Sequence, residues 1–165
     1  DREVSRELCR HAVQNLEQTA ERMDLAQLAR IVELFRQSEQ VYFVGDMREL
    51  ECFYSLQLDL MCKGQAVYHC NFDEVKKDEL PAMNEKTVVC IFSVSERYYP
   101  EERQLLLEEA RACRAHTVWF TQEGDAGEAE ETCYYGTAQS KNMGYYSLLL
   151  LEQVISAMLY RSDDA

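Results

Sequence analysis

Proline and glycine are scarce in this chain, with two prolines and six glycines in 165 residues. Long flexible linkers are therefore not expected. Long apolar runs are missing as well. The longest is the four leucines Leu148 to Leu151, far short of the roughly 20 residues that span a bilayer. The opening segment DREVSREL is charged and has no signal-peptide pattern. Basic residues are in deficit: 17 Lys and Arg against 30 Asp and Glu give a net charge of −13. Nucleic-acid binding requires basic side chains to neutralise phosphates, so this chain is not expected to grip DNA or RNA itself. Metal-ligand spacing is missing too. The seven cysteines are scattered, with no CxxC and no Cys/His cluster, so no zinc site and no metal are expected. The cysteines read as reduced core thiols in a cytoplasmic protein. The first residue is Asp1 rather than Met, which is expected of a processed or excised part of a longer polypeptide.

The remaining composition, 47% hydrophobic and 28% charged, is that of a folded globular domain rather than a disordered chain. Two helices are expected first. Val4, Leu8, Ala12, Leu16 and Ala20 form one helical stripe. Asp24 is the expected N-cap of the second helix, with Gln27 completing a capping box and Leu25, Leu28, Val32 and Phe35 as its apolar face. The period then changes. VYFVG at 41–45, AVYHC at 66–70, TVVCIFS at 87–93 and HTVWFT at 116–121 read as buried strands, with ETCYYG as a short fifth. Between them lie a helix from Arg48 to Lys63 closed by Gly64, a short helix within 73–84, and a helix from Pro100 to Arg114 with Pro at its first position. A long helix, Met143 to Arg161, ends the chain, with Leu148, Leu151, Ile155 and Met158 on one face.

Alternation of strands and helices predicts an α/β class: a three-layer α-β-α sandwich around a five-stranded parallel sheet, preceded by the leading helices. The expected organisation is one domain over 1–165, with helices in 1–38 and the α/β core in 40–161. For strand order 2-1-3-4-5, ligands belong at the switch point between strands one and three. The loops concerned are Gly45–Glu49 and Ser93–Tyr99. Gly45 either serves a tight turn or lets a ligand approach the backbone. Met47 stands where a dinucleotide fingerprint needs its second Gly, so no nicotinamide cofactor is expected, nor any other. Ser93 and Ser95 follow a buried strand and precede a helix start, where hydroxyls either bind an anion or cap the turn. Asp46 follows the first strand as a receiver's phosphoacceptor would, without the acidic pair and Lys that such a module uses.

The alternation, the Gly after strand one and the SxS after strand three together resemble the SIS (sugar isomerase) domain. The two leading helices, VYFVG, TVVCIFSVS, HTVWFT and Ser140–Lys141 are similar to the effector half of RpiR-family transcription regulators. The resemblance covers nearly the whole chain and implies a flavodoxin-like SIS fold. It implies a cytoplasmic homodimer whose contact with DNA runs through an upstream helix-turn-helix domain, and no membrane association. The ligand it implies is a sugar phosphate or related carbohydrate, with contacts from Gly45, Asp46, Met47, Arg48 and Glu49 and from Ser93, Val94, Ser95, Arg97 and Tyr98. The family's loops read roughly GxGxS and SxSGxT. Gly45, Ser93 and Ser95 keep that pattern; Met47, Glu49, Glu96 and Tyr98 replace it. Two like charges about 4 Å apart cost on the order of 4 kcal/mol at an effective dielectric near 20. Glu49 and Glu96 therefore oppose an anion, while Arg48 and Arg97 either chelate phosphate or pair with neighbouring glutamates. The expected role is a non-enzymatic sensing and dimerisation domain that binds a sugar phosphate weakly or not at all. The alternative is an aldose–ketose sugar-phosphate isomerase using Glu49, His69 or His116 as its base.

Overall fold

The computed structural model describes residues 2–94, 97–125, 127–136 and 144–161. Helices α1 (Arg2–Arg22) and α2 (Leu25–Gln37) lead into β1 (Gln40–Val44). Then come α3 (Met47–Cys52), α4 (Tyr54–Cys62), β2 (Ala66–Cys70), β3 (Thr87–Phe92), α5 (Pro100–Cys113), β4 (His116–Thr121), β5 (Glu131–Tyr134) and α6 (Gly144–Arg161). All four strand pairings are parallel, and the order is β2-β1-β3-β4-β5. This is the expected three-layer arrangement.

The strands divide their side chains with period two, as a sheet buried on both faces requires. Val41, Phe43, Val88, Cys90, Phe92, Val118 and Phe120 face a core closed by α2, α3, α4 and α6. Tyr42, Val44, Val89, Ile91 and Trp119 face the other layer, where Leu106, Leu107 and Ala110 of α5 meet Phe72 and Val75.

Several local expectations change. Asp24 caps α2, accepting from the N–H groups of Ala26 and Gln27. Gln27 does not close a capping box; its amide donates to Glu131 and to the Thr132 carbonyl. Leu25 is exposed, and Ile31 takes its expected place in the core. The stripe of α1 does not face inward: Val4 and Leu8 are exposed, and the buried positions are Asn15 and Thr19. The helix expected over 48–63 is two helices broken at Phe53. The segment 73–84 holds two single 3₁₀ turns, Phe72–Glu74 and Lys77–Glu79. In α6, Leu159 rather than Met158 completes the buried face. All seven cysteines are free, but only Cys90 and Cys133 are buried; Cys9 and Cys62 are exposed. No helix among the described residues is long and apolar enough to cross a membrane.

Candidate functional site

The switch point of the sheet lies between β1 and β3, and their carboxyl ends open onto a crevice of about 250 Å³. Its first wall is the β1–α3 turn. Gly45 leaves the strand with its N–H donating to the Cys70 carbonyl at 3.3 Å. Its backbone presses close to β3: a Cβ here would lie 2.8 Å from Phe92 Cβ and 3.1 Å from Glu49 Oε2. Glycine is thus required by close approach rather than by a special φ. Gly45→Ala is expected to destabilise the fold by about 1–3 kcal/mol through overpacking. A urea titration checks this, and an unchanged midpoint would contradict it.

Asp46 is the N-cap of α3, and Glu49 at the third helical position folds back so that Oε2 accepts the Asp46 N–H at 3.0 Å. The Tyr135 hydroxyl donates to Oε1 at 3.5 Å. Glu49 is only 2% exposed. Burial pushes its carboxyl up to about 8, aided by the Asp46 charge and partly offset by the two hydrogen bonds. Near neutral pH it is therefore mostly a neutral acid. It occupies the N–H that an anion approaching this turn would use.

The second wall follows β3. Ser93 is buried, and its hydroxyl donates to the Tyr98 carbonyl at 3.4 Å. The Val94 carbonyl accepts from the backbone N–H groups of Gln122 and Glu123 and from the Thr121 hydroxyl, which fixes this loop to the end of β4. The N-cap of α5 is Tyr99 rather than a serine, with φ 48° and ψ 51° ahead of Pro100. A left-handed non-glycine residue is strained, and such strain gathers at functional sites. This conformation lays the Tyr99 ring on Phe72, with centroids 4.7 Å apart and planes 12° from parallel.

Five of the expected contact residues line the crevice: Asp46, Glu49, Ser93, Val94 and Tyr98. Gly45 lies behind it, against Phe92 and Glu49. Met47 is 64% exposed and outside the lining. Arg48 is also outside; its guanidinium sits 5.8 Å from the centroid of the Tyr145 ring. Arg97 is exposed and does not line the space. Ser95 lies outside the described residues, as do Glu96 and Ser140–Lys141. The sequence reading overlooked the aromatic wall of Phe72, Phe92, Tyr99 and Tyr145. One signal was present: Phe72 follows β2, whose carboxyl end adjoins that of β1 in this strand order.

The two histidines are elsewhere. His69 is exposed on the edge strand β2 rather than packed, and His116 begins β4 at its amino end, 2.8 Å from Glu130. Among the described residues, no group of three or more His, Cys, Asp or Glu is placed to hold a metal. No Lys, Arg or His among them lines the crevice.

No family model matches the chain, and no curated protein matches it. Solved structures do match in shape. The Vibrio vulnificus NanR protein complexed with ManNAc-6P superposes with a TM-score of 0.76 at 19% identity, over 97% of this chain and 64% of that one. The chain thus spans slightly less than two thirds of the NanR chain. The sugar isomerase domain of an RpiR transcription factor from Sphaerobacter thermophilus gives 0.68 at 16% identity, over 96% and 97% of the two chains. An Escherichia coli CFT073 protein in complex with a second sugar phosphate gives 0.72 at 14%, over 99% and 94%. At these identities the likeness establishes the fold, which is that of SIS-type sugar isomerase domains.

Proposed function

We propose that this chain is the ligand-sensing half of an RpiR-like transcription regulator, with the crevice between β1 and β3 as its effector site. In this reading it works in the cytoplasm as a homodimer and reaches DNA through a helix-turn-helix domain encoded upstream of Asp1. A gene without that upstream segment would overturn the reading. The likeness to an RpiR sugar isomerase domain supports it, as do two neighbours whose structures hold phosphorylated sugars.

The observation that carries the proposal is the rebuilt crevice. The space is kept, but Glu49 takes the Asp46 N–H, and aromatic rings with Asp46 stand at the walls. A phosphate would meet the Asp46 charge with no lining cation among the described residues to answer it. Phosphosugars are therefore expected to bind weakly or not at all. A ligand at 100 times its dissociation constant adds about 2.7 kcal/mol of stability, which raises the melting temperature of a domain this size by several degrees. A hexose-phosphate panel is expected to give much less. A shift of several degrees that Ser93→Ala abolishes would show a working phosphosugar site.

One observation favours the isomerase as a second reading: Glu49 is a crevice acid that titrates near neutrality. Against it, both oxygens are engaged internally, and neither histidine lies in the crevice. Aldose–ketose turnover abolished by Glu49→Gln would establish the enzyme.

A further inference from the structure

The charge and the walls of the crevice point away from the ligand class carried by its structural neighbours. Asp46 contributes an exposed carboxylate at the N-cap of α3, and Tyr98, Tyr99 and Tyr145 contribute rings around the same space. The stacked pair Phe72–Tyr99 is held rigidly by the left-handed backbone at Tyr99. Rings fixed in this way need little ordering when a ligand arrives. A cation already sits against this wall: the Arg48 guanidinium lies over the ring of Tyr145. The field at the Tyr99 hydroxyl is negative. The charge of Asp46 pushes that phenol up, with smaller contributions from burial and from Asp73, Glu102 and Glu49.

We infer that the crevice binds a small organic ammonium ion, seated against the faces of Tyr98, Tyr99 and Tyr145 and paired with the carboxylate of Asp46. Aromatic faces attract cations through their quadrupole, and this is the usual way in which proteins recognise organic ammonium groups. The neighbouring carboxylate supplies the opposite charge. The space of about 250 Å³ is below the roughly 300–1,000 Å³ of sites for drug-sized molecules. It has room for one small ligand, such as a quaternary ammonium alcohol or a protonated amino sugar, and not for a nucleotide. Glu49, neutral at pH 7, adds no second charge that a monocation would leave unpaired. This inference rests on the crevice being the effector site of a sensing domain.

The test is calorimetric titration of the chain at pH 7 and fixed ionic strength with four probes: choline, glucosamine, glucose and glucose 6-phosphate. Choline or glucosamine is expected to bind at least about tenfold more tightly than glucose, as one cation–π contact with charge pairing allows. Choline alone would identify a quaternary ammonium ligand and glucosamine alone an amino sugar; either supports the inference. Asp46→Asn keeps a capping side chain and is expected to weaken that binding roughly tenfold. Tyr99→Leu should weaken it comparably, and Tyr99→Phe should restore it, since Phe keeps the ring. Glucose binding as tightly as glucosamine overturns the selection for charge. Tighter binding of glucose 6-phosphate overturns the inference and leaves the sensing role standing. Heat from none of the four up to tens of millimolar also overturns it, and the regulatory reading is then decided separately by the upstream helix-turn-helix.

Discussion

Replacing Glu49 by Gln is expected to raise stability at pH 8 by on the order of 4 kcal/mol and to change it little at pH 5. Glu49 is a buried acid whose folded value lies near 8, against about 4.5 when unfolded. Between those values the folded chain holds a proton that the unfolded chain has released. The unfolded state then binds fewer protons, so stability falls as pH rises. The contribution is complete below about pH 4.5 and lost as pH climbs through 8, at a little over 1 kcal/mol per unit. Gln keeps the acceptor for the Asp46 N–H and cannot ionise. The difference between the two urea-unfolding profiles isolates Glu49 from other groups that share the trend, such as the fully buried Glu152, whose carboxyl burial also pushes up. Parallel profiles between pH 5 and 8 would show that Glu49 titrates like an exposed carboxylate. They would also show that the crevice carries its full negative charge at neutral pH.

The sheet was legible because its central strands are buried on both faces, which leaves long runs of Val, Ile, Phe and Cys in the sequence. The six residues of β3 are all buried. Their order followed from alternation with helices, and the crevice from the order. Helix faces were less legible. In α1 the apolar stripe is real, yet the helix buries Asn15 and Thr19 instead. The Thr19 hydroxyl donates to the Asn15 carbonyl at 2.7 Å and accepts the Gly136 N–H at 2.8 Å. Periodicity gives a helix its stripe, but only the neighbouring elements decide which side is covered. The site was half legible for a similar reason. The two loops at the switch point follow from topology. Phe72 and Tyr145 reach the crevice from the turn after β2 and the start of α6, and no local pattern marks them. Glu49 was visible only as a charge; its turn back onto Asp46 and its burial against Tyr135 depend on the packed fold.

Phe53→Ala is expected to cost about 3–5 kcal/mol, the usual loss for a buried Phe, from a total that for most domains is only about 5–15 kcal/mol. Helical periodicity runs through this residue without a signal, yet α3 ends and α4 begins here. Phe53 has φ −100° and ψ 9° and is fully buried. Its ring lies 4.7 Å from that of Phe92, 4.9 Å from Phe120 and 6.5 Å from Phe43. Phe43, Phe92 and Phe120 are themselves stacked across three adjacent strands. Removing Phe53 opens a cavity under that stack, and the strands cannot collapse into it because their register is fixed by hydrogen bonds on both sides. Phe53→Leu keeps most of the volume and should cost less than about 1.5 kcal/mol. The effect reaches the crevice along two routes. Phe92 is both a neighbour of Phe53 and part of the crevice lining, and α3, which Phe53 anchors, carries Glu49. Phe53→Ala should therefore lower the pH dependence that Glu49 imposes, as water gains access to its carboxyl, whereas Phe53→Leu should preserve it. Unfolding titrations of both variants at pH 5 and pH 8 separate these effects. A large loss with the Glu49 slope intact would place the new cavity beneath the sheet alone and show that α3 is held at the crevice by other contacts.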